Sequence, residues 1–272
     1  MSTVTVESAT EHARDRRIPL SVVRDTSAIV KRNLLGYLRV PQLLVFSTIQ
    51  PVIFVIMFRY VFGGAIGGLK GMQYVDYLMP GIFVQTVVFG SIATAIGLSA
   101  DMKSGLMERF HALPMARSAV LTGRTIADLL RNVFVVTLMM VVGFLVGWRI
   151  HTNVFGLLAG GVIVLLFGFA MAWLFATVGL ALGDPESAQA AAFPVIAPLV
   201  FASSAFAPVD RMPGWLQVFA NHQPVTLTVN AVRALTTGVG PTARPAFEAL
   251  LWIGGILVVF ATVSVRLYRR TV

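Results

Sequence analysis

The chain has 272 residues, 57% of them hydrophobic and only 12% charged, about half the charged share of an ordinary soluble domain. Several apolar runs of at least ~18 residues make it a polytopic helical membrane protein, and no polar stretch between them is long enough to build a soluble core. The net charge of +9 is spread over alternate loops, which argues against nucleic acid as its cause, and the absence of cysteine excludes disulfides, thiolate catalysis and cysteine zinc sites.

Residues 1–19 are polar and mixed in charge, and read as a disordered cytosolic tail. They are no secretory signal, because the first long apolar run begins only near Leu43. Residues 20–272 read as one membrane domain. Over residues 20–38, Val23, Val30, Leu34 and Leu38 share one helical face while Arg24, Asp25, Lys31 and Arg32 are polar. That pattern predicts an amphipathic helix lying in the headgroup layer, with a helix packed on another subunit as the alternative. Span 1 covers residues 43–62, and Gln50-Pro51 near its middle predicts a kink. The glycine-rich stretch at residues 63–71 lacks the GxxxxGK[ST] spacing of a nucleotide loop and reads as an outer connection. Span 2, residues 78–100, opens on Pro80-Gly81 and carries Gln85, Thr86, Ser91, Thr94 and Ser99. Gln85 and Ser91 are candidates for lining a translocation path, although helix–helix hydrogen bonding is the more usual use of such residues.

A polar island follows at residues 101–124, DMKSGLMERFHALPMARSAVLTGR. Leu106, Phe110 and Leu113 stand at i, i+4 and i+7 with Met107 beside them, while Glu108 and His111 face the other way and Arg109 lies at the edge. Pro114 ends this helix because it has no N–H to give. A short amphipathic helix at the membrane edge is the form of a docking element, and a solvated connector is the plainer alternative. Span 3 covers residues 126–148. Arg124, Asp128 and Arg131 share a face near its start, an ionic trio expected at the water boundary, where it fixes helix depth.

Gly143-x-x-x-Gly147 and Gly156-x-x-x-Gly160 predict close helix contacts. Span 4, residues 154–182, is longer than the ~20 residues a bilayer needs, and Gly183-Asp184-Pro185-Glu186 predicts a tight turn after it. Span 5, residues 188–207, contains Pro194 and Pro198, which predict a broken or bent helix. Ser203 and Ser204, near its outer end, are further path candidates. Residues 209–245 contain two short amphipathic segments expected to dip into the bilayer before span 6, residues 247–265. The expected fold is therefore all-α, with six transmembrane helices, an N-terminal interfacial helix and two short re-entrant outer helices.

An even number of spans puts both termini on one side. Fifteen of the 21 lysines and arginines fall on the side of the termini and the island, which the positive-inside rule assigns to the cytoplasm. His12, His111, His151 and His222 lie outside the apolar cores without metal-ligand spacing, and neither H-E-x-x-H nor G-x-S-x-G occurs. No metal site and no catalytic residue is expected.

Three segments resemble one known family. They are YVDYLMPGIFVQ at residues 74–85, GLMERFHALPMARSAVLTGRTIAD at residues 105–128, and PLVFASSAFAPVDRMPGWLQVFANHQPVTLTVNAVRALTTG at residues 198–238. In this order they resemble the ABC-2 type export permeases, and within them the daunorubicin-resistance branch of actinobacterial drug and lipid exporters. His222-Gln223 before Pro224 departs from the family, which more often has an asparagine there. The resemblance implies a permease homodimer in the plasma membrane, paired with two copies of a separate ATP-binding subunit that holds ATP and Mg. It implies a small amphipathic cargo and no enzyme activity in this chain. It also assigns ATPase coupling to Leu106, Glu108, Arg109, Phe110, Leu113 and Pro114. An ion-coupled transporter or channel, or a membrane scaffold, are the alternative readings.

Overall fold

The computed structural model describes residues 23–37, 39, 41–63, 72–107 and 117–271, and among these there are helices and turns but no strand. Chain order gives α1 (residues 23–37), α2 (Pro41–Ile56), α3 (Tyr74–Gly90), α4 (Ile92–Lys103), α5 (Arg117–Val146), α6 (Val154–Leu182), α7 (Pro185–Phe201), α8 (Gly214–His222), α9 (Pro224–Thr237) and α10 (Ala243–Thr271). Among the described residues four stretches are long and apolar enough to cross a membrane: Tyr74–Lys103, Ala119–Val146, Val154–Leu182 and Ala243–Arg270. Two other expected spans, the first and the fifth, appear as the shorter helices α2 and α7.

α6 is the mast of the bundle, packed against α3, α4, α5, α7, α9 and α10. Its sequence carries no charged residue and is apolar all round, as a helix surrounded by other helices requires. Its 29 residues rise about 43 Å, well beyond the ~30 Å hydrocarbon core. Both ends are defined chemically. The Asn153 side chain accepts the Gly156 N–H at 2.8 Å, and Gly183 closes the helix at φ 65° with its N–H on the Gly179 carbonyl. Asp184 then caps α7, and Pro185 stands at the first position of that helix, where its missing N–H costs nothing. The expected tight turn is this pair of caps back to back.

Several boundaries and bends differ from expectation. α2 runs through Pro51 without a break, and its irregularity is instead a π-helical turn at Met57–Phe62. There Phe58 stacks on Phe206 with centroids 4.4 Å apart, and Phe54, Phe62 and Phe201 extend the aromatic row. Pro194 and Pro198 lie inside one continuous helix, and the chain becomes irregular only after Phe201. Span 2 starts earlier than expected, at Tyr74, and is interrupted at Ser91. Gly156 and Gly160 do face another helix, α9, with Leu235 O only 2.4 Å from where a Cβ on Gly156 would stand. Gly143 and Gly147 do not form such a face. Gly147 sits at φ 103° with open space around it and lets α5 terminate.

α4 and α6 also approach closely, backbone to backbone. A Cβ on Gly179 would fall 2.5 Å from the Ala95 carbonyl oxygen and 2.9 Å from its Cα, both backbone atoms that cannot step aside. Gly179→Ala is therefore expected to push the two helices apart and cost about 1–3 kcal/mol. Gly254→Ala, on an open face of α10, is expected to be neutral or to stabilise by up to about 1 kcal/mol. Thermal unfolding in detergent checks both, and equal effects at the two positions contradict this packing.

Candidate functional site

The interruption at Ser91 is where chemistry collects. The Thr94 N–H bonds the Ser91 carbonyl rather than continuing the α pattern, which leaves the Gly90 carbonyl for another donor. Arg131 of α5 supplies it, with Nη2 at 2.6 Å, and Arg124 about two turns earlier donates to the Ala93 carbonyl at 3.0 Å. Glycine makes room for both cations. A Cβ on Gly97 would fall 1.6 Å from Arg124 Nη2, and one on Gly90 would fall 3.0 Å from Arg131 Nη2.

Between the two arginines lies Asp128, fully buried. Its short hydrogen bonds come from the Tyr37 hydroxyl of α1 at 2.5 Å and the Thr94 hydroxyl of α4 at 2.6 Å. The guanidinium groups of Arg124 and Arg131 stand farther off, at 3.7 and 4.0 Å, and act through their field rather than as bonds. Burial pushes the Tyr37 hydroxyl up to about 12, helped by the Asp128 charge, so it stays protonated and remains a donor at neutral pH. Asp101 extends the cluster, accepting from Arg32 of α1 at 2.8 Å with Arg124 at 3.9 Å. Three helices thus meet on two carboxylates. The trio was expected at the water boundary. Within the protein it is largely buried, because α1 folds over α5 and covers it: a Cβ on Gly123 would fall 2.7 Å from Ile29.

The ABC-2 type transporter family model matches residues 24–236, which takes in every helix of this cluster. The chain belongs to the ABC-2 type transporter family. It is 31% identical over 275 residues to the daunorubicin resistance ABC transporter permease protein DrrB1 of Streptomyces coeruleorubidus, covering 98% of this chain and 96% of that one. It is 28% identical over 224 residues to the "probable doxorubicin resistance ABC transporter permease protein DrrC" of Mycobacterium tuberculosis, covering 82% and 80%. The doxorubicin resistance permease DrrB of the same organism is 25% identical over 230 residues, covering 79% and 78%. Family and apolar helices together make this a multi-pass membrane protein and a transport component, and the family implies partnership with an ABC ATP-binding subunit.

In this ABC-2 permease the island leaves α4 and enters α5, so it is attached directly to the two helices that Asp128 joins. Leu106 and Met107 are helical, and Met107 is buried against Leu98, Leu121 and Trp173. Glu108, Arg109, Phe110, Leu113 and Pro114 lie outside the described residues. A second strap holds this end, with Lys103 Nζ 2.7 Å from Asp184 in the α6–α7 turn.

The path candidates separate into two groups. Gln85 is buried, makes no hydrogen bond and lines a cleft of about 200 Å³ with Arg131. Ser91, Ser203 and Ser204 are buried and committed elsewhere, to the Val88 carbonyl, the Val200 carbonyl and Asn230. Ser204 belongs to a second constellation at the opposite end of the bundle, which residue patterns did not disclose. There Arg233 of α9 lies 3.6 Å over the Tyr77 ring and donates to the Tyr77 and Ser204 carbonyls. Its only sequence signal is a lone arginine within an apolar helix face.

Asp128→Asn keeps the shape of the buried carboxylate and removes its charge, leaving two guanidinium groups without their counter-ion. A loss of about 3–5 kcal/mol is expected, together with faster hydrogen exchange over residues 23–37 as α1 loosens. Unchanged melting and exchange contradict the arrangement. At the exposed strap, the Lys103 ammonium holds the Asp184 carboxyl down at about 2, with the Ser187 N–H assisting. A depressed carboxylate stabilises above its ordinary range near ~3.9 and loses that contribution as pH falls through about 2. The strap is thus intact across neutral pH. Lys103→Ala is expected to move the Asp184 titration upward, read by carboxylate carbon NMR, and an unmoved titration contradicts the contact.

Proposed function

We propose that the chain is the transmembrane subunit of an ATP-driven exporter that moves an amphipathic drug, antibiotic or lipid out of the cytoplasm or its inner leaflet. The observation that carries this reading is the family match across residues 24–236, joined to near full-length similarity to permeases named for daunorubicin and doxorubicin resistance. In this reading the chain crosses the plasma membrane six times, with α2 and α7 as the two shorter crossings and both termini in the cytoplasm. Two copies form a homodimer and engage two ATP-binding subunits, which hold ATP and Mg.

Coupling follows from the attachment of the island. A docking segment pushed by the ATPase applies force at the end of α4 and the start of α5. Because Asp128 and Asp101 tie those helices to α1, the three move as one body, and motion is taken up at α2, α7 and the segments around them. Phe110 and Leu113 anchor the island in an apolar pocket of the ATPase while Glu108 and Arg109 set charge register. Coupling requires that the two end states differ in contacts, and the two sides of this rigid body provide that difference.

The test is reconstitution with the ATP-binding subunit in proteoliposomes. Transport of a fluorescent amphiphile is expected with ATP and not with a proton or sodium gradient alone. Phe110→Ala and Glu108→Lys are expected to reduce it at least tenfold by weakening assembly. Transport at full rate without the ATPase contradicts the reading, as does full assembly and export by both variants.

A further inference from the structure

The cleft beside Arg131 lies among α1, α2 and the α3–α4 break. Its wall includes Tyr37, Gln50, Gln85, Thr86, Phe89 and Arg131, and among the described residues no carboxylate lines it. Most of the polar groups there are already committed. The Tyr37 hydroxyl donates to Asp128 and the Thr86 hydroxyl to the Ile82 carbonyl. Two groups are not. Gln85 is only 2% exposed and its Oε1 has no partner, an arrangement proteins rarely tolerate without a use. Arg131 is 6% exposed and offers five N–H donors. It has short bonds only to the Gly90 carbonyl and a longer one to Asn132, with its nearest carboxylate, Asp128, at 4.0 Å.

A carboxamide that can turn either end outward and an under-neutralised guanidinium together favour an oxyanion. A cationic group would meet the Arg131 charge with no carboxylate on the wall to offset it. The apolar side of the same cleft, formed by Phe89 with Pro51 and Ile92, suits the start of a hydrocarbon or ring system. A groove more than three times larger lies between α1 and α5, but its lining is almost wholly apolar and holds no converging donors. It offers nothing to read a polar group.

We propose that this cleft is a loading site for the acidic oxygen group, phosphate or carboxylate, of an amphipathic molecule, with Arg131 supplying charge and Gln85 the orienting hydrogen bond. The proposal rests on the exporter reading for its consequence, since binding here bears on transport only if the chain moves an amphiphile. It stands on the cleft alone for binding.

The test uses the full-length permease in phosphatidylcholine nanodiscs and a fluorescent dodecyl phosphate probe. Unlabelled dodecyl phosphate is expected to displace it, dodecylammonium not to, and inorganic phosphate to do so at least a hundredfold less well. Gln85→Leu removes an amide without a partner, so its melting temperature is expected to hold or rise while probe affinity falls at least fivefold. Arg131→Lys, which keeps the charge and loses the fork, is expected to weaken binding while retaining the preference for phosphate over ammonium. Equal competition by the ammonium amphiphile overturns the proposal, as does an unchanged affinity in Gln85→Leu. Inorganic phosphate competing as well as dodecyl phosphate overturns the amphiphile in favour of a free anion. Failed binding beside intact ATP-driven transport sinks this site and leaves the exporter reading standing, whereas intact binding without ATP-driven transport does the reverse.

Discussion

A carboxylate taken out of water must be surrounded by donors and opposite charge, and the Asp128 carboxylate draws these from three different helices. Tyr37 of α1 and Thr94 of α4 donate to it, and Arg124 and Arg131 of α5 itself add their field. Removing any one of these elements would leave charge or hydrogen-bonding capacity buried and unmet, at a cost of several kcal/mol. Much of the rest follows from that demand. Gly90 and Gly97 are small because guanidinium groups occupy the space beside them. The helix is interrupted at Ser91, and the carbonyl this releases is the one Arg131 takes. α1 lies over α5 because the cluster needs Tyr37 and Arg32 from it.

The two ends of the bundle are held by different physics. At the island end, carboxylates are shared among cations, and the exposed Lys103–Asp184 strap adds a contact that salt and solvent weaken. At the other end the dominant cation is Arg233, whose partners are carbonyls, Asn230 and the Tyr77 ring rather than an acid. That arginine fastens α9 to α3 and to the irregular stretch after α7. Between the ends, contact is mostly apolar and close, as at Gly168, where a Cβ would fall 2.8 Å from the Val87 Cβ. Apolar contacts of this kind can slide, whereas an ion cluster with directional bonds resists being pulled apart.

The parts legible in the sequence were those set by local chemistry. Apolar runs located α3–α4, α6 and α10 to within about six residues, whereas α5 begins nine residues before the expected span, and the Gly183-Asp184-Pro185 turn was readable because each residue there performs a local backbone task. The spacing of Arg124, Asp128 and Arg131 correctly put them on one face. Their burial was not legible, because it depends on α1, which lies some 90 residues away in the chain. The same limit explains the glycines. Gly156-x-x-x-Gly160 and Gly143-x-x-x-Gly147 are the same pattern, yet one faces α9 and the other ends a helix. Prolines gave no chain break, since Pro51, Pro194 and Pro198 sit inside continuous helices. Polarity alone nominated Gln85 and the serines together, and only the hydrogen-bond partners separate the unused carboxamide from hydroxyls already spent on carbonyls and Asn230.

The claim on which the rest depends is that α1, α4 and α5 are one mechanical body. Because the chain has no cysteine, single cysteines at the exposed Ser27 and Ser104 can carry spin labels without further engineering. Their separation is to be measured by pulsed dipolar spectroscopy in the assembled transporter, with labelled permease diluted into unlabelled. The account predicts one narrow distance that is the same without nucleotide and with ATP bound. A distance that shifts when ATP binds means the Asp128 cluster opens during the cycle, and contradicts it.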